Sequence, residues 1–265
     1  MRARPLLVTA ALVAGATAFA APGAAPVTTR YKVTETNHQV VDLSAFGQPE
    51  QVNHIVTSTW VAVTSTDSAG GRALRLVIDS TKADSVVSPQ PINPALFDSL
   101  RGATATAWVA ADGKLQGLVG VGEKGGQAVN ILRSMFPRMH PRAKVGDHWT
   151  DTTEVTGGGD GLLSSALTRR ITNWAVSGEQ TVGGVKARKV EAAFSQSISG
   201  EVTSGQGTMA IDGTGTGTAT YFVAPDGRQV GATTSMSLQV AVTIPQAPEP
   251  IPVNGTISSV ITPIR

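Results

Sequence analysis

The sequence predicts a mainly β protein: two tandem antiparallel β-meander repeats forming a large curved sheet or half-barrel, with one or two short helices on one face. Three observations predict it. Apolar and polar residues alternate over long runs, as Thr234, Met236, Leu238, Val240, Val242 and Ile244 do against Ser235, Ser237, Gln239, Ala241 and Thr243. A period of two puts alternate side chains on opposite faces of a strand. Glycine turns recur between such runs, at Ala69-Gly70-Gly71, Asp112-Gly113, Gly183-Gly184 and Asp226-Gly227, each a hairpin signal. The turns also come in pairs. A shift of 114 residues carries Trp60 onto Trp174, Gly70 onto Gly184, Thr104-Ala105-Thr106 onto Thr218-Ala219-Thr220, Asp112-Gly113 onto Asp226-Gly227 and Gly117 onto Gly231. Upstream, Tyr31 resembles Trp149 at a slightly different offset. Self-similarity of this length means one sheet running through both halves, or two similar sheets packed together.

Residues 1–20 have the layout of a secretory signal peptide. Arg2 and Arg4 precede an apolar run that ends in Ala18-Phe19-Ala20, with small residues ahead of the expected cleavage site. The run falls short of the roughly 20 apolar residues a spanning helix needs. The chain is therefore expected to be exported, to the periplasm or the extracellular side of a bacterial cell envelope, and not to be transmembrane. N-terminal sequencing of the exported protein should find Ala21 first; a start before residue 18 would remove this reading.

The first repeat takes residues 21–117. Leu74, Leu76 and Ile78 alternate with Arg75 and Asp79 in one of its strands. It also holds a short helix over 94–101, with Asn93 as N-cap, Pro94 at the first helical position and Gly102 as terminator. Residues 118–148 form a connector whose Val129, Leu132 and Phe136 share one side of a helix over about 127–136. The second repeat takes 149–265. Its Ser204–Gly217 stretch is rich in glycine and threonine and has no helical pattern. A proline-rich connection over 245–252, PQAPEPIP, leads to a last strand from Val253 to about Ile261.

Composition excludes several classes of function. The full chain has 21 Lys+Arg against 19 Asp+Glu, and loss of Arg2 and Arg4 leaves 19 of each. That gives no cationic footprint for nucleic acid. There is no cysteine, hence no disulfide, thiolate metal site or lipid-modified cysteine. Four Trp, two Tyr and six Phe are too few for the aromatic girdles of an outer-membrane barrel. No cofactor is implied.

The stretch that looks most like a site is FPRMHPRAKVGDHWTD, residues 136–151, with His140, Asp147, His148 and Asp151. A metal would need these to converge, yet neighbours on a strand point to opposite faces and Pro141 holds the chain extended after His140. The simpler reading is structural: Phe136-Pro137 ends a helix, Val145-Gly146-Asp147 turns, and Trp149 anchors the first strand of the second repeat. Gly120-Val121-Gly122-Glu123-Lys124-Gly125 has the spacing of a dinucleotide loop but lies among antiparallel meanders rather than in a βαβ unit. Gly157-Gly158-Gly159-Asp160-Gly161 reads as a hairpin tip, with an anion or calcium nest as its alternative. His38 and His54 read as solvent-facing.

The block Phe136-Pro137 followed by Val145-Gly146-Asp147-His148-Trp149 resembles a segment of exported bacterial families of unknown function, in which it follows a meander ending in a D-G hairpin. That resemblance covers about residues 28–245, and such families are similar to half-barrel envelope carriers of the LolA and LppX type, from which this chain's duplicated meander and fewer helices depart. The resemblance implies a bent sheet with helices over its concave side, and an exported, non-catalytic protein that holds an apolar or lipid-like ligand. It transfers no site residue. Small residues on one strand face, Ala103, Ala105, Ala107 and Val109, and on the repeat-equivalent face, Gly217, Ala219 and Val223, leave room for such a ligand. The candidate contacts are Leu96, Leu100, Ala105, Ala107, Val129, Leu132 and Phe136, unless the helix over 127–136 fills the room itself. A scaffold that binds an envelope protein partner without a small ligand is the alternative, and a metal-dependent hydrolase using the 136–151 stretch is a third.

Overall fold

The computed structural model describes residues 25–264, apart from 69, 90, 123, 137–142, 157–165, 205–206, 246 and 248. The expected signal peptide, His140 and the glycine-rich 157–161 stretch lie outside the described residues. In chain order the elements are β1 (Val27–Val41), β2 (Gln51–Ser68), β3 (Gly71–Val87), α1 (Ala95–Asp98), β4 (Thr104–Ala110), β5 (Leu115–Val121) and α2 (Gly125–Met135). There follow β6 (His148–Thr156), β7 (Leu167–Val182), β8 (Val185–Ser204), β9 (Gly207–Val223), β10 (Gln229–Thr243) and β11 (Ile251–Ile264).

The strands form one antiparallel sheet in the order β5-β4-β3-β2-β1-β11-β10-β9-β8-β7-β6. Each half is the same meander: β2 to β5 pair in sequence, as do β7 to β10, with β1 and β6 at their heads. Strand β11, which follows the proline-rich connection, inserts between β1 and β10 and joins the halves. The repeat is visible down to single hydrogen bonds. In the β4–β5 turn, Ala110 N–H donates to Lys114 O (2.9 Å) and Gly113 N–H to Ala110 O (2.8 Å). In the β9–β10 turn, Ala224 and Gly227 make the same bonds to Arg228 and Ala224, each at 2.8 Å. Asp112 Oδ1 accepts from Lys114 N–H (3.0 Å), as Asp226 Oδ1 accepts from Arg228 N–H (2.9 Å). Gly113 and Gly227, at φ of 81° and 78°, supply the left-handed residue these turns require.

The shift of 114 fails in one place. Strand β7 carries a bulge between Val176 and Gly178 that β2 lacks at the matching point. One extra residue turns every side chain before it to the other face. Trp174 therefore stands where Val61 does, on the inner face, whereas Trp60 is outward under Lys32 Nζ, 5.5 Å from its ring centroid. Opposite Val61 is Tyr31, and opposite Trp174 is Trp149. The Tyr31–Trp149 correspondence thus holds, and the Trp60–Trp174 superposition is corrected.

The sheet is strongly curved. Arg72, at the start of β3, donates from Nη2 to the carbonyl of Asp226 in the β9–β10 turn, although β2, β1 and β11 separate β3 from β10. Curling brings the inner faces of both halves around one core: Tyr31, Val61, Leu76 and Ile78 from the first half, with Val176, Val190, Tyr221 and Val223 from the second. Strands β5 and β6 are the two unpaired ends, so the sheet is not closed. Helix α2 lies against β5, β4 and β3 on the inner side. It is an amphipathic helix whose Gly125, Ala128, Leu132 and Met135 are buried. Helix α1 is shorter than the expected 94–101. Asn93 Oδ1 accepts from Ala95 N–H (3.0 Å), but after Asp98 the chain continues as single turns. It stops at Gly102, whose φ is 80° and whose N–H bonds Ile78 O (2.8 Å). No helix among the described residues is long and apolar enough to cross a membrane.

Candidate functional site: a cavity between helix α2 and the second repeat

The two repeats treat their inner faces differently. In the first, Ala105 and Ala107 of β4 and Ala103 just before it are buried, and their small side chains let α2 approach the sheet closely. In the second, the equivalent strand β9 carries Gly213, Gly215, Gly217 and Ala219, and the element after its hairpin partner β10 is strand β11 rather than a helix. The outcome is a cavity of about 870 Å³ between α2 and the inner faces of β6 to β11 and β1. That lies in the upper part of the range, about 300–1,000 Å³, typical of small-molecule sites.

Its apolar walls are Leu118 of β5, Ile131 and Phe136 at α2, Trp174, Ala192, Phe194, Ala219, Tyr221, Met236 and Ile257. Trp174 is held flat against Trp149, with centroids 5.9 Å apart and planes at 9°, and is tilted against Tyr221 at 5.8 Å. The charged lining groups are Glu35, Lys114, Arg133, Asp151, Glu154 and Arg170. Arg170 is built in most firmly. Its Nε and Nη2 both donate to Gln196 Oε1, at 3.0 and 2.7 Å, and its guanidinium lies 4.5 Å from the centroid of the Phe194 ring. That ring in turn lies over Gly217, where any Cβ would collide with it. Desolvation lowers the pKa of Arg170; Tyr221 opposes this and the nearby charge of Arg133 adds to it.

Glu35 remains accessible to water but is ringed by protein, and desolvation raises its pKa. A carboxyl whose pKa is higher in the folded than in the unfolded chain contributes stability in the protonated form, below its unfolded pKa of about 4.3, and that contribution is lost as pH rises through the folded value. Glu35→Gln should therefore raise the melting temperature at pH 7, and the gain should vanish below about pH 4. A variant equal to wild type at both pH values would show that the carboxylate is not desolvated.

The seven candidate contacts read from the sequence fall in different places. Phe136 lines the cavity. Ala105, Ala107 and Leu132 are buried in the contact between α2 and the sheet, and Val129 and Leu100 pack partly buried around the same core. Leu96 is 60% exposed. The side chains that sequence reasoning missed are Arg170, Trp174, Phe194 and Tyr221. The signal that could have found them is a charged residue in phase with inward Thr172 and Trp174.

The described part of the 136–151 stretch, residues 143–151, forms the entry to β6. Asp147 Oδ2 accepts from Lys144 N–H (2.8 Å), Gly146 N–H donates to Val176 O (2.8 Å), and Val176 N–H donates to Asp147 O (3.0 Å). His148 is exposed, and Trp149 is half-buried against the core. Trp149→Ala should cost about 2 kcal/mol, from half a core ring's transfer energy plus the stacking with Trp174. His148→Ala should stay within about 0.5 kcal/mol, and chelator should leave the melting temperature of both unchanged. A large effect at His148 that EDTA reproduces in the wild type would restore a metal centre. In the Gly120–Gly125 loop, the end of β5 and the start of α2 touch backbone to backbone, and a Cβ on either glycine would strike the other. The glycines there permit a strand–helix junction in an antiparallel setting.

A smaller cavity of about 310 Å³ lies among the hairpin turns, lined by Arg72, Leu115, Phe136, Arg188, Asp226 and Gln229 among others. Gln229 is the repeat equivalent of Leu115, and its buried amide has no hydrogen-bond partner among the described residues. No protein-family model, curated protein or solved structure matches this chain.

Proposed function

We propose that this is an exported cell-envelope protein that binds an apolar or lipid-like ligand without chemical conversion. The observation that supports the reading is the cavity itself. Among the described residues no helix of the second repeat covers its inner face, and the room is walled by Trp174, Phe194, Tyr221, Met236 and Ile257. Apolar surface of this kind gains from being covered, at about 25 cal/mol per Å². Native mass spectrometry of the mature protein, extracted under mild conditions, should show a bound lipid mass. A bare protein mass that takes up nothing from a total lipid extract would overturn the reading.

One observation favours a scaffold role as a second reading. Strand β5 ends the sheet with an unpaired edge on which Val119 and Val121 are more than half exposed, and such edges can accept a partner's strand. Lysine substitution at Val119, which would blunt the edge, should leave lipid uptake intact under the carrier reading.

A further inference from the structure

We propose that the occupant is a single-chain amphiphile with an anionic head, a carboxylate or a phosphate monoester, and that Arg170 and Arg133 hold that head while the chain lies along the aromatic wall. The inference rests on the carrier reading above and deepens it.

The argument begins with the cavity's charges. Lys114 is paired with Asp112 at 3.4 Å, and Glu154 with Arg169 at 3.5 Å. Asp151 is buried and already engaged. Among the described residues, neither Arg133 nor Arg170 has a carboxylate within ion-pair reach. Two like charges therefore line one cavity, Arg170 half-buried and Arg133 more exposed, and desolvation lowers the pKa of both. Unpaired charge in such a place is costly, and an anion between the two would offset the cost. Glu35 is the remaining unpaired charge on the wall, and neither arginine is among the groups that shift it.

Arg170 is also fixed in advance. Gln196 occupies Nε and Nη2, and the Phe194 ring covers one face of the guanidinium. Ordering the side chain before the ligand arrives reduces the entropy lost on binding. A planar guanidinium with donors left over matches carboxylate and phosphate oxygens, which is why arginine serves such heads better than lysine does. From that point the wall continues through Phe194, Met236 and Ile257, the apolar track an acyl chain requires.

The test compares heads on one chain. Binding to delipidated protein is followed by tryptophan fluorescence, since Trp174 lines the cavity, using oleate, oleoyl lysophosphatidic acid and oleyl alcohol as probes. These are added to wild type, Arg170→Gln and Arg170→Lys. Wild type should bind at least one anionic probe more tightly than the alcohol, and the better of the two identifies the head as carboxylate or phosphate. Arg170→Gln should weaken that probe by roughly 10- to 100-fold, the cost of losing a hydrogen bond to a charged group. Alcohol binding should be unchanged, and Arg170→Lys should recover part of the loss. Equal binding of anion and alcohol by wild type, or no effect of Arg170→Gln on the anion, overturns the inference and leaves the carrier reading standing. Loss of the alcohol together with the anion in Arg170→Gln also overturns it, because the residue would then be holding the cavity's shape. Failure of all three probes on wild type instead removes the carrier reading itself.

Discussion

Leu132→Ala is expected to lower the unfolding free energy by about 3–4 kcal/mol, in the middle of the range for buried leucines. Leu132 is fully buried in the face of α2 that meets the alanines of β4. Those neighbours cannot close the hole. The alanine methyls are short, and moving the β4 backbone inward would break its ladders to β3 and β5. The cavity term therefore persists alongside the lost transfer energy. Helix α2 has 11 residues, too few to be stable alone in water, so its anchoring depends on Ala128, Leu132 and Met135. Truncation of Leu132 should also loosen the wall that carries Ile131 and Arg133, and weaken lipid uptake with it. Urea unfolding with an unchanged m-value checks the first part. A loss below about 1 kcal/mol would show that α2 is not held by this face.

Most of the strands were legible because their cause is local. A hairpin needs two alternating runs and a glycine turn, and all three lie within a few dozen residues; the β4–β5 and β9–β10 turns match in every backbone bond that defines them. The last strand was legible too, observed at Ile251–Ile264. Its place between β1 and β10 was not. That choice depends on which edges the two meanders leave open, a property of the assembled sheet. The bulge at Ser177 is the instructive failure. Composition does not announce one extra residue in a ladder, yet it decides that Arg170, Thr172 and Trp174 face inward. Without it, the identity of Trp60 and Trp174 suggests a shared environment, and the sequence does not single out Arg170. The alanine stripe of β4 is legible, and so is the helix that fills it, but the unfilled room lies over Ala219 and Tyr221 of β9 and Phe194 of β8, past the β9 glycines, whose meaning depends on Phe194, Gln196 and Leu238 across the neighbouring strands.

Those glycines carry the second large effect. Gly217→Ala is expected to destabilise by about 2–3 kcal/mol, the cost of overpacking a filled interior. Backbone strain is not the cause, because Gly217 is absent from the positive-φ glycines. Where the backbone allows it, Gly→Ala normally stabilises by about 0.4–1 kcal/mol through the unfolded chain. The new methyl would meet the Phe194 ring and the Ser235 carbonyl. Ser235 belongs to β10 and is fixed by the register that sets Thr218 opposite it, so most of the yielding must come from Phe194. If the ring swings away, Arg170 loses the surface on which its guanidinium lies, and anionic lipid binding should fall along with stability. Gly178→Ala is the control, since nothing lies within 4 Å of a Cβ there, and it should be neutral or slightly stabilising. A Phe194→Ala background should relieve part of the Gly217→Ala cost but not all of it, the remainder reporting the Ser235 carbonyl. If Gly217→Ala and Gly178→Ala behaved alike in chemical unfolding, the ring would not be packed on the glycine, and the physical basis for a pre-positioned Arg170 would go with it.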